Sequence, residues 1–334
     1  MERARIPVLG WLSQRLPWRF VLKRLALLVP VLFAVTAASF LLLDLLPGDT
    51  TTAILGPNAT EEARAELRDE LGLDQPIHVR YVQWLGDVAQ GDFGESSING
   101  QPVSEALSQR IGVTLELLIA SQVIALTLAV PLGVLAARRP GSLLDRISTG
   151  TAFGFLAVPN FILGVLLVFL FSVRLGWLPS TNLPPFSEGA GDHLRSLVLP
   201  AVSLAMAELA GYLRLLRTDM MATLQEDFIL NARAKGLPGW WILLRHALRP
   251  SSFSLVTVAG LNTGRLIGGT LVVEVIFAMQ GMGSLAVQSI YQRDFLIVQG
   301  FVVVVAVGYV LVNFFVDVIY TILDPRIGHA RATA

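Results

Sequence analysis

The sequence predicts an all-α polytopic membrane protein with six transmembrane helices, and three observations predict it. Hydrophobic residues make up 54% of the 334 residues and charged residues 15%, against about 25% charged in soluble domains. Six apolar runs are each long enough, at about 1.5 Å per residue, to cross a hydrocarbon core about 30 Å thick. The basic residues flanking these runs gather in alternate connections, the bias that marks cytoplasmic loops. This bias makes the protein multi-pass with both termini cytoplasmic.

Composition also excludes. The formal net charge is zero, which gives no support for a nucleic-acid partner. There are no cysteines, so disulfides, thiolate metal sites and cysteine nucleophiles are ruled out. The four histidines, His78, His193, His246 and His329, are scattered and form no HExxH, so no metal site is expected. No catalytic residues are expected either, because GxSxG, paired membrane aspartates and membrane histidines are all missing.

Residues 1–23 carry Arg3, Arg5, Arg15, Arg19 and Lys23 with Trp11 and Trp18, a basic cytoplasmic segment with aromatic anchors. Residues 24–46 form the first span. Its apolar run exceeds the about 7–15 residues of a signal-peptide core, so it is read as retained. Residues 47–113 form a large external loop, holding Arg64, Arg68, Arg80 and Arg110 against eleven acidic residues. Within it, Thr60 as N-cap, Glu61 and Glu62 in the first turn and Gly72 past the end predict a helix over 61–71. The second span, 114–137, exits at Arg138, Arg139 and Arg146. The third, 149–172, contains Pro159 as a potential kink, and a Pro/Gly/Ser-rich external loop follows over 173–196. The fourth, 197–216, ends at Arg214 and Arg217; a cytoplasmic loop, 217–253, leads to the fifth, 254–277. The sixth span is 296–323, followed by a tail, 324–334. Residues from about 110 to 323 make one membrane domain.

The cytoplasmic loop is a polar helical island. Leu224, Phe228 and Ala232 recur every four residues, and Lys235 then Gly236 supply a basic last turn and a terminating glycine. Pro238 starts a second short helix whose apolar side is Trp240, Trp241, Leu243, Leu244, Ala247 and Leu248. Such a pair either docks into a protein groove or lies on the lipid surface. Within the spans, Glu208 and Arg265 fall near the middles of the antiparallel fourth and fifth helices, and Glu274 near the external end of the fifth. Glu208 and Arg265 are expected at similar depth, either as a buried ion pair or facing a water-filled path that accepts charged groups. Gly260, Gly264 and Gly268 form a stripe for close helix contact, sliding or static.

The run DFILNARAKGL at 227–237 with HALR at 246–249 resembles the cytoplasmic loop of the dipeptide/oligopeptide permeases, membrane subunits of ABC importers. The resemblance covers nearly the whole chain: PGD at 47–49, LGLD at 71–74, Pro76, Tyr81, GDFG at 91–94, TLEL at 114–117, Pro131, Gly133, Asp317, Tyr320 and PRI at 325–327. Gln280 stands where the family has proline, and Pro250 and Ser254 also depart from its pattern. The resemblance implies the type I ABC importer permease architecture in the plasma (inner) membrane, with a coupling helix between helices 4 and 5. Asp227, Phe228, Ala232, Arg233, Ala234, Lys235, Gly236, Leu237 and His246 are its implied ATPase-coupling residues. It further implies a homologous second permease, two ABC ATPase subunits, separate or fused, that bind ATP and Mg, an extracytoplasmic substrate-binding protein and a di- or oligopeptide substrate. No cofactor is expected in this chain. No GxxxxGK[ST] loop is present, and Lys23 and Lys235 are the only lysines, so the chain is not its own ATPase. Nickel, glutathione, haem and oligosaccharides remain open as substrates within the family. An ion-coupled secondary transporter using Glu208 and Arg265 is the more distant alternative.

Overall fold

Backbone N–H and C=O groups in hydrocarbon must be satisfied within the chain, which leaves the helix as the open-chain solution. The computed structural model describes residues 18–44, 55, 59–70, 72, 74–181 and 183–323, and among these the extended pairing is a single bridge, Glu95 with Pro102. The basic residues before Trp18, the PGD turn at 47–49 and the PRI run at 325–327 lie outside the described residues.

Helix α1 is Trp18–Asp44, α2 Glu61–Glu70 and α3 Ile77–Ala89. The Ala63 N–H donates to Thr60 Oγ1 at 3.3 Å, and Gly72 turns the chain at φ 59°, as the capping signals predicted for α2. Helix α3 was not anticipated. Its Tyr81 is buried, donates to or accepts from Thr36 Oγ1 at 2.8 Å, and packs edge-on against Phe33 and Phe40, so α3 lies along the outer half of α1.

Helix α4, Val103–Arg138, begins eleven residues before the predicted second span. The early start follows from Val103, Ala106 and Leu107, a helically spaced set that buries against Met282, Leu285 and Ile297. Helix α7, Ala190–Thr223, likewise outruns 197–216 at both ends. Between them, the predicted third span is two pieces: α5, Leu143–Ala157, and α6, Asn160–Leu167, which continues as a π-helical turn over Val168–Arg174. They meet at 105°. The residue before a proline is driven out of the helical region, and Val158 sits at φ −99°, ψ 122°. The predicted kink is thus a break.

The contacts of α5 and α6 define their course. Asp145 at the start of α5 meets Arg217, Gly164 of α6 approaches Ser203, and Phe171 and Leu178 pack on the cluster containing Leu197 and Leu199. The contacts of the bent pair thus step along α7 from near its C-terminal end toward its N-terminal end.

Helix α8 is Asp227–Ala234, and α9 runs unbroken from Gly239 to Ile276, 38 residues. The second short helix expected after Pro238 is therefore a correction: it is the first part of α9 itself. A proline inside a helix lacks an N–H and collides with the carbonyl four residues back. The π-helical turn Ile242–Ala247, just ahead of Pro250, widens the helix there and lets it continue. Helix α10 is Met282–Gln292 and α11 Phe295–Leu323, joined by Arg293 at φ 62°. Arg24 of α1 pairs with Asp317 of α11 at 2.8 Å.

Three apolar clusters stack along the bundle. Leu216, Met220, Ile229, Ile242 and Ala247 hold the end that carries α8; Leu117, Leu204, Ile267 and Phe277 hold the middle; Val103, Met282 and Ile297 hold the opposite end.

Candidate functional site

At one end of the bundle, α8 is seated by Ile229 and Ala232, 0% and 5% exposed, on Leu216, Met220, Ile242 and Leu243. Of the predicted stripe, Ala232 is buried and Leu224 packs against the same cluster, but Ile229 faces inward in place of Phe228, which with Leu230 points outward at 46% and 52% exposure. The end of α8 is closed by two bonds: Gly236 N–H to Arg233 C=O at 2.9 Å and Leu237 N–H to Ala232 C=O at 3.3 Å. This pairing needs a left-handed residue between, and Gly236 supplies it at φ 77°. Asp227, Arg233, Ala234, Lys235 and Gly236 are exposed, while Leu237 and His246 are half-buried. Trp240, Trp241 and Leu244, expected on the packed side of the second helix, are exposed instead. The π-helical widening shifts the buried face to Ile242, Leu243 and Ala247. The result is a capped helix with an aromatic and aliphatic outer surface, fixed to the ends of α7 and α9. Thr223 and Ser251, bonded at 2.9 Å, add a polar tie between those ends.

Beside it, Asp145 and Arg217 form a two-pronged pair, Nε to Oδ1 at 2.5 Å and Nη2 to Oδ2 at 2.8 Å. The Gly141 N–H donates to the same carboxylate at 2.8 Å. The Arg217 guanidinium, with the Gly141 N–H, holds the Asp145 carboxyl down at about 2 although burial opposes it.

Midway through the bundle, Glu208 is half-buried and accepts from Asn262 Nδ2 at 2.6 Å. Of the two arrangements expected for Glu208 and Arg265, the ion pair is not formed among the described residues. Asn262 occupies the level opposite Glu208, and Arg265, nearly a turn further along α9, is on its exposed face. Tyr212, one turn from Glu208, donates to Gln122 Oε1 at 3.1 Å, and Gln122 Nε2 donates to Thr263 Oγ1 at 2.9 Å and to the Ala259 carbonyl at 3.3 Å. A polar seam thus ties α4, α7 and α9. Searching the spans for charges missed Gln122, Tyr212 and Asn262; side-chain amides inside apolar runs are the signal that finds them.

Glu274 is 0% exposed. Its Oε1 accepts from Thr114 Oγ1 at 2.7 Å and its Oε2 from the Ser284 N–H at 3.0 Å, while Thr114 Oγ1 accepts from the Met282 N–H at 2.9 Å. Glu274 therefore pins the turn after α9 to α4. Of the glycines, Gly260 and Gly264 lie against Val316 and Tyr309 of α11, whereas Gly268 has open space around it. Among the described residues no three His, Asp or Glu side chains gather to hold a metal.

A multi-pass helical bundle, with a capped helix between two long spans and polar seams in its interior, fits the membrane permease subunit of an ABC transporter, the class to which its relatives belong. The chain belongs to the family described as "Binding-protein-dependent transport system inner membrane component", which matches residues 129–329, with that family's N-terminal part matching 17–118. It is 38% identical to the oligopeptide transport system permease protein AppB of Bacillus subtilis over 92% of this chain and 98% of that protein. It is also 38% identical to the glutathione transport system permease protein GsiC of Salmonella choleraesuis over 92% of this chain and 98% of that protein. Among solved structures, the fold is similar to the inward-facing MetNI methionine ABC transporter, with a TM-score of 0.54 at 20% identity, over 65% of this chain and 96% of that one. As an ABC permease the chain is not an enzyme. ATP hydrolysis falls to separate ATPase subunits, and the class implies a second permease and a substrate-binding protein beside them.

Proposed function

We propose that the protein is the permease subunit of an ATP-driven importer of di- and oligopeptides, forming the translocation path with a homologous second permease and taking its drive from two ATPase subunits that bind ATP and Mg. The carrying observation is α8. It is fixed to the bundle on one face by Ile229 and Ala232 and presents Phe228, Leu230 and the exposed Arg233 to Gly236 run on the other. Force applied to that outer face reaches α7 and α9 directly, because both ends of the loop are continuous with those helices. Closure of the ATPases on ATP thus becomes a movement of the bundle that alternates access. Peptide is the cargo favoured by the oligopeptide and peptide permeases among the relatives.

Arg265 supports a polar path. An arginine at a span centre is disfavoured by roughly 2.5–3.5 kcal/mol on insertion scales, and Arg265 is exposed on α9 with no hydrogen bond or ion pair to any described residue. It faces the shared path between the two permeases, where water and cargo meet it. Both termini lie in the cytoplasm in this reading, with α8.

The test is co-purification through a tag on the C-terminus, with ATPase activity and uptake measured for the native chain and for Gly236→Val. Two ATPase subunits and a second permease are expected with the native chain. The substitution forces a β-branched residue into a left-handed position, at about 1–2 kcal/mol, and is expected to leave assembly intact while uptake falls several-fold relative to hydrolysis. A chain that elutes alone and moves substrate under an ion gradient would overturn the reading in favour of a secondary transporter.

A further inference from the structure

Arg110 lies four residues before Thr114 on α4, so it stands on the same face one turn further toward the external end. Thr114 is the residue that locks Glu274 and the Met282 N–H. Above this lock opens a cavity of about 410 Å³, walled by Arg110, Val275, Met279, Gln280, Ser284 and Gln288. Glu274 closes its floor, with one oxygen taken by Thr114 and the other by the Ser284 N–H. Arg110 makes no hydrogen bond and no ion pair with any described residue, and it is only half-exposed.

The wall is fixed. After α9 the chain turns through Ala278 at φ 50°, closed by the Ala278 N–H to the Val275 carbonyl at 3.2 Å and the Met279 N–H to the Glu274 carbonyl at 2.8 Å. A residue with a Cβ is strained in that conformation, and such strain is retained where the surroundings hold it. This turn aims Gln280, whose amide has no partner among the described residues, at the cavity. Gln288, one face of α10 away, is also free.

We propose that this cavity is a subsite at the external mouth that receives the C-terminal carboxylate of the cargo peptide. Arg110 takes the carboxylate, Gln280 and Gln288 bond the last peptide group, and Val275 and Met279 accept an apolar terminal side chain. The inference rests on the peptide-importer reading and adds to it a point of recognition in the permease itself. The chemistry fits the parts: a guanidinium offers a paired donor geometry to a carboxylate, side-chain amides donate to and accept from a peptide group, and the volume accommodates one or two residues rather than a folded chain.

The complete complex, with its second permease, ATPases and binding protein, is reconstituted into vesicles, and ATP-dependent uptake of tri-alanine is compared with uptake of its C-terminal amide. The binding protein is common to all arms, so its own preference cancels between variants. Arg110→Gln is expected to lower initial uptake of the free acid about tenfold, the order of one charge-assisted pair, while amide uptake changes less than twofold. Arg110→Lys restores most of the acid uptake. Arg195→Gln, an external arginine bonded to the Trp177 carbonyl and away from the cavity, leaves the acid-to-amide ratio at the native value, which separates a subsite from general attraction by external charge. An equal loss for acid and amide in Arg110→Gln, an unchanged ratio, or a loss that follows the anionic lipid content of the vesicles overturns the subsite while leaving the importer standing. A native complex that takes up neither peptide overturns the importer reading and the subsite with it.

Discussion

Protonating Asp145 removes the charge to which both nitrogens of Arg217 and the Gly141 N–H donate. The folded carboxyl titrates at about 2, below its ordinary 3.8. A depressed folded value means the pair's stabilisation is fully present above 3.8 and is lost as pH falls from there toward 2. Asp145→Asn removes the charge at every pH. It is expected to lower stability by about 1–3 kcal/mol, and the stability lost between pH 4 and 2 in the native chain should shrink in the variant. Thermal unfolding in detergent at a series of pH values measures both. An unchanged acid limb in the variant would show that other carboxylates govern it. Neither partner was singled out from the sequence beyond Arg217 as a cytoplasmic marker, because an aspartate in a short loop and an arginine at a span end are ordinary there. Their pairing is a property of the 72 residues that separate them. Glu208, Arg265 and Glu274 were legible as unusual, since charge inside an apolar run stands out. What each one touches was not, because a one-residue step along a helix swings a side chain by about 100°.

Helices were legible wherever periodicity and punctuation agreed. The cap at Thr60, the stop at Gly236 and the sixth span fall within a residue or so of the signals that announce them. Errors came where tertiary contact extended an element, as at Val103, or where a proline's effect depended on its neighbours. Pro159 breaks a helix, whereas Pro250 lies just past a π-helical turn in a continuous one and Pro30, Pro131 and Pro200 are carried inside helices without such a turn. The glycine stripe shows how an element resolves what a pattern leaves open. A Cβ on Gly260 would come within 2.1 Å of Val316 Cγ2, and one on Gly264 within 2.7 Å of Tyr309 Cδ2; one on Gly268 meets nothing. Valine is stiff about χ1, so Gly260→Ala forces α9 and α11 apart, with an expected loss of about 1–3 kcal/mol. Gly268→Ala is expected to leave the chain's own stability equal or raised by up to about 1 kcal/mol, through helix propensity. Unfolding midpoints of the two variants, measured side by side, decide it; equal losses would mean that the stripe packs elsewhere than on α11.

At the scale of the whole molecule, the arrangement turns on whether α5 and α6 cross the membrane or enter and return. Their contacts follow α7 from Arg217 to the cluster at Leu197, a path of about 30 Å at 1.5 Å per residue, the thickness of a hydrocarbon core. The charge pattern agrees. If the pair returned to the side it left, the segment around 175–189 would share a side with Arg138, Arg139 and Arg146, and α7 would then carry Arg214 and Arg217 to the opposite, external face, against the arginine bias. The chain has no cysteines, so single cysteines report cleanly. Leu143→Cys at the start of α5, Ser187→Cys before α7 and Gln225→Cys after it are all exposed positions. Helix α7, with 34 residues, spans about 50 Å, so Ser187 and Gln225 face opposite sides under either arrangement. Only the partner of Leu143 changes. A broken span predicts that an impermeant maleimide labels Ser187→Cys in intact cells and labels Leu143→Cys and Gln225→Cys only after permeabilisation. Labelling of Leu143→Cys together with Ser187→Cys would make the pair re-entrant. Labelling of Gln225→Cys from outside would instead invert the molecule, move α8 away from the ATPases and remove the physical basis for coupling through it.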